Sequence, residues 1–501
     1  MGVPHAGTSD SGYGPSGGKN RSRIPGWVVA VGAAGVSGAL MAACYWPLNL
    51  HFLAWIALVP WLLVVPRLNA DKTWLYGTIL GLVFYRIGLA WLFKLSGPLG
   101  GAIVVDLAIL MGLSFRVARL LMDRFGRAAM LWAVPMTFVG QELLRSEALS
   151  RYRFAYLGWG YSQSHNLWIA QIASLGGVYF VSFLLVAFSV SIAYALTVRR
   201  ALSWVSTVVV GTTVLVLALL TQPSSVSRSS SLSTACVQAE VFDDRVYSDL
   251  TAQALSAPEK PKFVVLPEHT IATFTTEKHP LVRSLASLAH EHGAFICLGV
   301  HTRAPQGAGC DYDNVAMLID PAGKIIARQA KVVPIPFGED GNPATQQTTV
   351  ITPQGCLGIY VCYDGTFTDV PRRLVDQGAQ FLLAPLMDPA QWPLQQCWQH
   401  ADMAPFRSIE LRRCAVRAAS SGVSQIIDET GRLIAQRSRE EGAGVIGGRV
   451  HPLEERTIFV RGGYWFARLI GAVFLVVVVV LTLAQWGPIR WFNRFRRVGD
   501  G

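Results

Sequence analysis

Charge is what this sequence is short of. Only 15% of its 501 residues are Asp, Glu, Lys or Arg, against 51% apolar residues and a mean hydropathy of +0.37. A soluble globular chain runs at about 25% charged, so disorder, coiled coil and an ordinary cytosolic enzyme are excluded. Cysteine is scarce as well: eight in so long a chain do not make a disulfide scaffold. No P-loop is present, and the glycines of 444–448 do not follow a strand with the needed spacing. His290-Glu291-His292 lacks HExxH spacing, and Asp311-Tyr312-Asp313-Asn314 has acidic ligand types without an EF-hand loop. These two read as a solvated helix end and a turn before a strand. No metal and no cofactor is expected.

What the chain does have is a run of apolar stretches of spanning length, near 27–46, 50–66, 74–93, 101–122, 128–146, 175–197 and 202–221, with an eighth at 469–486. Each can cover a hydrocarbon core that takes about 20 helical residues. Basic residues outnumber acidic ones, 43 to 32. No basic stripe with interleaved aromatics points to nucleic acid, so the excess is read as membrane orientation. With the N-terminus inside, the inner loops hold Arg67 and Lys72, Arg124 and Arg127, then Arg199 and Arg200, and the last tail adds Arg490, Arg494, Arg496 and Arg497. The outer loops hold little beyond Lys94, Arg145, Arg151 and Arg153. That bias predicts eight spans with both termini inside.

The expected organisation follows. Residues 1–25 form a flexible tail with Lys19, Arg21 and Arg23 at its end, 26–222 a membrane domain of about seven helices, and 223–465 an extracytoplasmic domain. The last helix is 466–488, and 489–501 is a basic tail. Within 223–465 the runs 263–266, 294–300, 314–320, 356–362 and 379–384 are β-rich. Helix-like pieces lie between them at 281–292, 370–377 and 399–412. Strands alternating with helices predict a layered α/β domain.

Three polar residues sit at or just past the ends of such apolar runs: Glu268, Lys331 and Cys362. Strand ends in α/β domains are where side chains reach a shared crevice. A carboxylate, an ammonium and a thiol together suit acyl transfer. The carboxylate takes the thiol proton, the thiolate attacks an ester carbonyl, and the ammonium favours the thiolate and the developing oxyanion. Spacing alone does not separate them from a structural Cys, a solvated Lys and a strand-end Glu.

Their surroundings do. Leu266-Pro267-Glu268, then Lys331-Val332-Val333-Pro334-Ile335-Pro336-Phe337-Gly338-Glu339, then Val361-Cys362-Tyr363-Asp364 resemble the nitrilase (carbon–nitrogen hydrolase) superfamily. The lysine run within a membrane protein is similar to the apolipoprotein N-acyltransferase family. So are Trp46-Pro47-Leu48 leading to Leu58-Val59-Pro60-Trp61-Leu62, and Glu142-Leu143-Leu144-Arg145 followed by Gly158-Trp159-Gly160-Tyr161-Ser162-Gln163. The resemblance covers roughly residues 27–485.

It implies an αββα sandwich on a multi-span base, with Glu268 as general base, Lys331 as oxyanion stabiliser and Cys362 as nucleophile. Glu339 matches a second active-site carboxylate, and Tyr363 the residue whose backbone N–H serves the oxyanion. It also implies a phospholipid acyl donor, a diacylglyceryl-lipoprotein acceptor and the bacterial inner membrane, with the catalytic domain facing the periplasm. The chain departs from the family pattern at Asp364, where Glu is usual, and at Gln329, where Tyr is expected. It departs again in Leu386-Met387-Asp388-Pro389-Ala390-Gln391-Trp392 and Ser420-Ser421-Gly422-Val423-Ser424. These mark a divergent member. A membrane-tethered amidase and a non-catalytic scaffold are the alternatives.

Arg86 and Asp106 lie within spans, where ionisable groups are costly. A structural pair is expected, with a phospholipid phosphate on Arg86 as the functional alternative. Tyr464-Trp465-Phe466, just before the last span, reads as an interfacial belt ahead of an acyl-chain mouth that would also use Trp392 and Trp398. Cys297 and Cys356 read as small strand hydrophobes, while Cys310, Cys397 and Cys414 are able to pair in an oxidising compartment.

Overall fold

A computed structural model describes residues 24–148, 153–223, 231–241, 243–336 and 340–486. Lys19, Arg21, Arg23, Arg151, Glu339, Arg490, Arg494, Arg496 and Arg497 lie outside the described residues.

The first half is helical. Ala90–Phe125, Val178–Val198 and Ala201–Leu220 are long and apolar enough to cross a membrane, while Gly26–Ala42 and Trp465–Val480 are shorter apolar helices. Eight such helices are not found among the described residues, and the reasons are local. Pro60 and Pro66 break the expected second span into the 3-10 turns His51–Trp55 and Val65–Arg67 around a four-residue helix, Val59–Leu62. Ala70–Gly88 carries Asp71, Lys72 and Arg86, too many charges for an apolar span. Gly97, at φ +49°, kinks Ala90–Phe125 just before Pro98.

Small residues let the long helices touch. Gly77 and Gly81, a G-x-x-x-G pair, face Gly112 and Ala108, and a Cβ on Gly81 would lie 2.8 Å from the Ala108 Cα. Arg86 and Asp106 make no ion pair. Both are exposed, and the Arg86 guanidinium sits 4.4 Å from the Phe93 ring centroid. The aromatic belt is partly inside the protein: Phe466 is buried beside Phe180 and Phe183, and only Trp465 is open.

The second half is a sandwich of two sheets. One runs Gly444–Val450, Leu232–Gln238, Phe263–Val265, Phe295–Arg303, Tyr312–Ile319, Ile325–Ala330, with Ile271–Phe274 also paired to Phe295–Arg303. The other runs Leu433–Arg437, Ser424–Ile427, Ala415–Ala419, Phe381–Leu386, Gly355–Ile359, Thr349–Thr352. Alternation assigns the faces. Phe263 and Val265 join Phe381, Leu383 and Val416 between the sheets, while Val264 and Leu266 face the helices Asp244–Leu255 and Pro280–His292. The glycines of 444–448 lie in the edge strand that closes the first sheet, pairing antiparallel with Leu232–Gln238.

The helix Leu394–Leu411 joins the halves. It is buried along nearly its whole length because one side meets the sandwich and the other the helical half. Its polar residues find partners across the boundary. Gln399 accepts from Trp91 Nε1 at 2.9 Å, and Glu410 accepts the Val178 N–H at 2.7 Å. Cys310, Cys397 and Cys414 are unpaired thiols. Cys397 accepts from Arg439 at 3.1 Å, and Cys414 donates to Glu429 at 3.4 Å.

Candidate active site

The strands set where the reactive groups gather. Leu232–Gln238, Phe263–Val265 and Phe295–Arg303 are parallel, as are Gly355–Ile359, Phe381–Leu386 and Ala415–Ala419. Ile325–Ala330 is antiparallel to Tyr312–Ile319, which is itself antiparallel to Phe295–Arg303, so it points the same way. Glu268, Lys331 and Cys362 therefore lie beyond the carboxyl ends of their strands at one end of the sandwich, and Asn314 enters from the start of its antiparallel strand.

Glu268 is buried, and its backbone N–H crosses to the other sheet, donating to Leu386 O at 3.1 Å. Gly299 makes room beneath it, since a Cβ there would fall 2.4 Å from the Glu268 Cα. Glu268 Oε1 accepts from Lys331 Nζ at 2.8 Å and Asn314 Nδ2 at 2.6 Å. Asp340 completes the cluster: its Oδ2 is 2.7 Å from Lys331 Nζ and its Oδ1 accepts from Asn314 at 2.9 Å. Lys331 is fully buried between two carboxylates. Glu268, His269 and Asp340 are ligand types within 4.8 Å of one another, but the ammonium already occupies the position between the two carboxylates.

Cys362 opens the 3-10 turn Cys362–Thr366 with φ +47°, a left-handed conformation unusual for a side chain of its size. Backbone strain of this kind concentrates at functional sites. Its buried thiol lies beside the Glu268 carboxylate and donates to Met387 O at 3.7 Å. Among the described residues the Tyr363 backbone N–H, at the start of this turn, has no backbone acceptor.

Asp364 holds this turn to the lysine loop. Its carboxylate accepts the N–H groups of Val333 at 2.7 Å, Val332 at 3.1 Å and Val361 at 3.2 Å. Beyond Met387, Asp388 accepts from Gln396 at 3.2 Å and lies 3.0 Å from His400 Nδ1, both buried.

The electrostatics follow from burial and neighbours. Burial raises the Glu268 carboxyl, but Lys331, His269 and the hydrogen bonds outweigh it and hold the group well below the usual carboxylate range. Burial opposes the Lys331 charge, yet Glu268, Cys362 and Asp340 keep it protonated well above the usual lysine value. Burial and then Glu268 push the Cys362 thiol well up, against the pull of Lys331. At rest the site holds a carboxylate, an ammonium and an intact thiol.

Of the residues singled out from sequence, Glu268, Lys331, Cys362, Tyr363 and Asp364 come together. Asp340 is, with Glu268, one of the two carboxylates placed on Lys331 among the described residues. Asn314, Asp340, His269, Asp388 and His400 were not anticipated. Asn314 lies where the sequence reads as a turn leading into the β-rich run 314–320, and Asp388 in a loop marked by its departures from the family pattern. Gln329 serves its own neighbourhood, donating to Ala330 O at 2.8 Å.

Two family models match the chain: the apolipoprotein N-acyltransferase N-terminal domain over residues 37–191 and carbon–nitrogen hydrolase over 234–451. The apolipoprotein N-acyltransferase of Geobacter metallireducens is 27% identical, over 86% of this chain and 91% of that one. That of Gloeobacter violaceus is 23% identical over 92% and 95%. Among solved structures, a carbon–nitrogen hydrolase from Helicobacter pylori is similar at 18% identity and a TM-score of 0.39, over 48% of this chain and 95% of that one.

Proposed function

We infer that this chain, which belongs to the apolipoprotein N-acyltransferase family, moves an acyl chain from a phospholipid to the N-terminal amine of an S-diacylglyceryl-cysteine lipoprotein. The observation that carries the mechanism is the buried cluster in which Glu268 and Lys331 meet at 2.8 Å beside the Cys362 thiol. As the Cys362 sulfur bonds to the ester carbonyl carbon, its proton passes to Glu268. Lys331 and the Tyr363 backbone N–H take the oxyanion charge. Collapse breaks the ester C–O bond, and the lysophospholipid leaves with the proton from Glu268. The lipoprotein amine then attacks the thioester, gives a proton to Glu268, and the restored thiol departs. The low carboxyl and high thiol make proton transfer uphill in the empty site, so it accompanies bond formation rather than preceding it.

In this reading Glu268 is the base, Lys331 the charge stabiliser, Cys362 the nucleophile, and Asp364 and Asp340 hold them in place. The domain of residues 223–465 faces the periplasm, on a base of several helices that pass through the bacterial inner membrane. Donor and acceptor both stay in the bilayer, which gives such a base its purpose.

Intact mass spectrometry of the purified protein with phospholipid tests this. The expected result is an acyl-sized gain on Cys362 that transfers to a diacylglyceryl-cysteine peptide amine. A gain that decays to free fatty acid would make the protein a hydrolase. No gain on folded protein would leave it a scaffold.

A further inference from the structure

A cavity of about 740 Å³ lies at the far ends of the helices from the catalytic sandwich. Val178, at one end of Val178–Val198, donates to Glu410 of the sandwich side, while Arg199, just past the other end, lines the cavity. At 1.5 Å per residue the two stand about 30 Å apart, one hydrocarbon thickness.

Four arginines from three separate loops converge there: Arg67, Arg127, Arg199 and Arg200. Leu63 and Trp204 supply apolar wall, and no carboxylate lines it. The acids closest in sequence to Arg67 and Arg127 are already engaged, Asp71 by Arg116 at 3.1 Å and Asp123 by Arg119 at 2.6 Å. Among the described residues none of the four makes an ion pair or a side-chain hydrogen bond. Orientation by positive charge explains why such loops are basic. It does not require four uncompensated guanidinium groups around one cavity with an indole at its rim.

We propose that this cavity binds the phosphate-bearing headgroup of an anionic phospholipid from the leaflet opposite the catalytic domain. The proposal rests on the reading that these helices span the membrane. Guanidinium groups grip phosphate oxygens in pairs, basic pockets between membrane helices suit anionic headgroups, and Trp204 sits where an indole meets the headgroup region. This lipid is separate from the acyl donor, which must reach Cys362 on the other side.

Native mass spectrometry of the full chain in detergent decides it, with phosphatidylglycerol, chain-matched phosphatidylcholine and inorganic phosphate as probes. The expected result is one phosphatidylglycerol bound in preference to phosphatidylcholine, weakened roughly 30-fold in Arg199→Gln/Arg200→Gln and less in Arg199→Lys/Arg200→Lys. Arg67→Gln/Arg127→Gln, from the other two loops, should lose the same adduct if the first pair fails to fold. Equal binding of both lipids, or unchanged phosphatidylglycerol binding in the glutamine variants, overturns the proposal. Full displacement by millimolar inorganic phosphate overturns the lipid assignment in favour of a free anion. The acyl gain on Cys362 is read in the same spectra, so failure of the acyltransferase reading shows separately.

Discussion

The Tyr363 hydroxyl, one residue past Cys362, donates to the backbone carbonyl of Arg153 at 2.8 Å. Arg153 belongs to the helical half, where its guanidinium reaches Glu147, and it also pairs with Asp369 of the sandwich at 2.7 Å and covers the Phe367 ring at 4.1 Å. The Cys362–Thr366 turn is thus tied to the helical half through Arg153.

Arg153→Ala should strip Glu147 and Asp369 of their shared cation. Because Asp369 is about a third exposed, the expected cost is about 2 kcal/mol rather than the 3–5 of a fully buried pair. Thermal melting reads the loss. Acylation of Cys362 should slow about 10-fold as the turn loosens, while Tyr363→Phe, which spares the ion pairs, should slow acylation with a smaller change in melting. Equal rates in wild type and both variants would show that the tie does not position the thiol.

Asp364→Asn should cost about 2–3 kcal/mol, since an amide NH2 cannot accept the backbone N–H groups that now converge on the carboxylate. Asp364→Glu introduces the residue that the resemblance implies at this position, yet the site is fully buried. One extra methylene should lower the melting temperature instead of improving turnover.

Two limbs should appear in stability against pH. The Glu268 pKa is depressed in the fold, so its stabilisation is complete above the unfolded carboxyl value and fades as pH falls through the folded one. Burial raises Asp364 to about 7, so its contribution is full below the unfolded value and fades as pH rises through about 7. Melting temperatures across pH should lose the acid limb in Glu268→Gln and the neutral limb in Asp364→Asn.

Gly299→Ala places a methyl 2.4 Å from the Glu268 Cα. The strand or Glu268 must shift, at about 1–3 kcal/mol, and acylation of Cys362 should fall although no reactive group has changed. A variant that melts lower but acylates at the wild-type rate would show that Glu268 tolerates displacement.

Lys331→Met should remove the charge holding Glu268 and Asp340 together and cost about 3–5 kcal/mol. No acyl adduct on Cys362 is expected within the time the wild type needs. An adduct at the normal rate would remove Lys331 from the mechanism.

Composition and apolar run length determined that the chain carries helices apolar enough to span a membrane and one polar α/β segment, because both depend on residue type alone. Strand-end position and motif likewise marked Glu268, Lys331 and Cys362, which lie on short, strongly patterned segments. Tertiary structure decided the rest. The span at 50–66 dissolved into turns because Pro60 and Pro66 remove hydrogen-bond donors that apolarity does not register. Asn314 joined the site only because Tyr312–Ile319 runs antiparallel and delivers its first residues to the end where its neighbours deliver their last, and Asp340 because it meets both Asn314 and Lys331 there. Which carboxylate meets an ammonium, and which loops converge on a cavity, depends on chain direction and register, and a list of residue types contains neither.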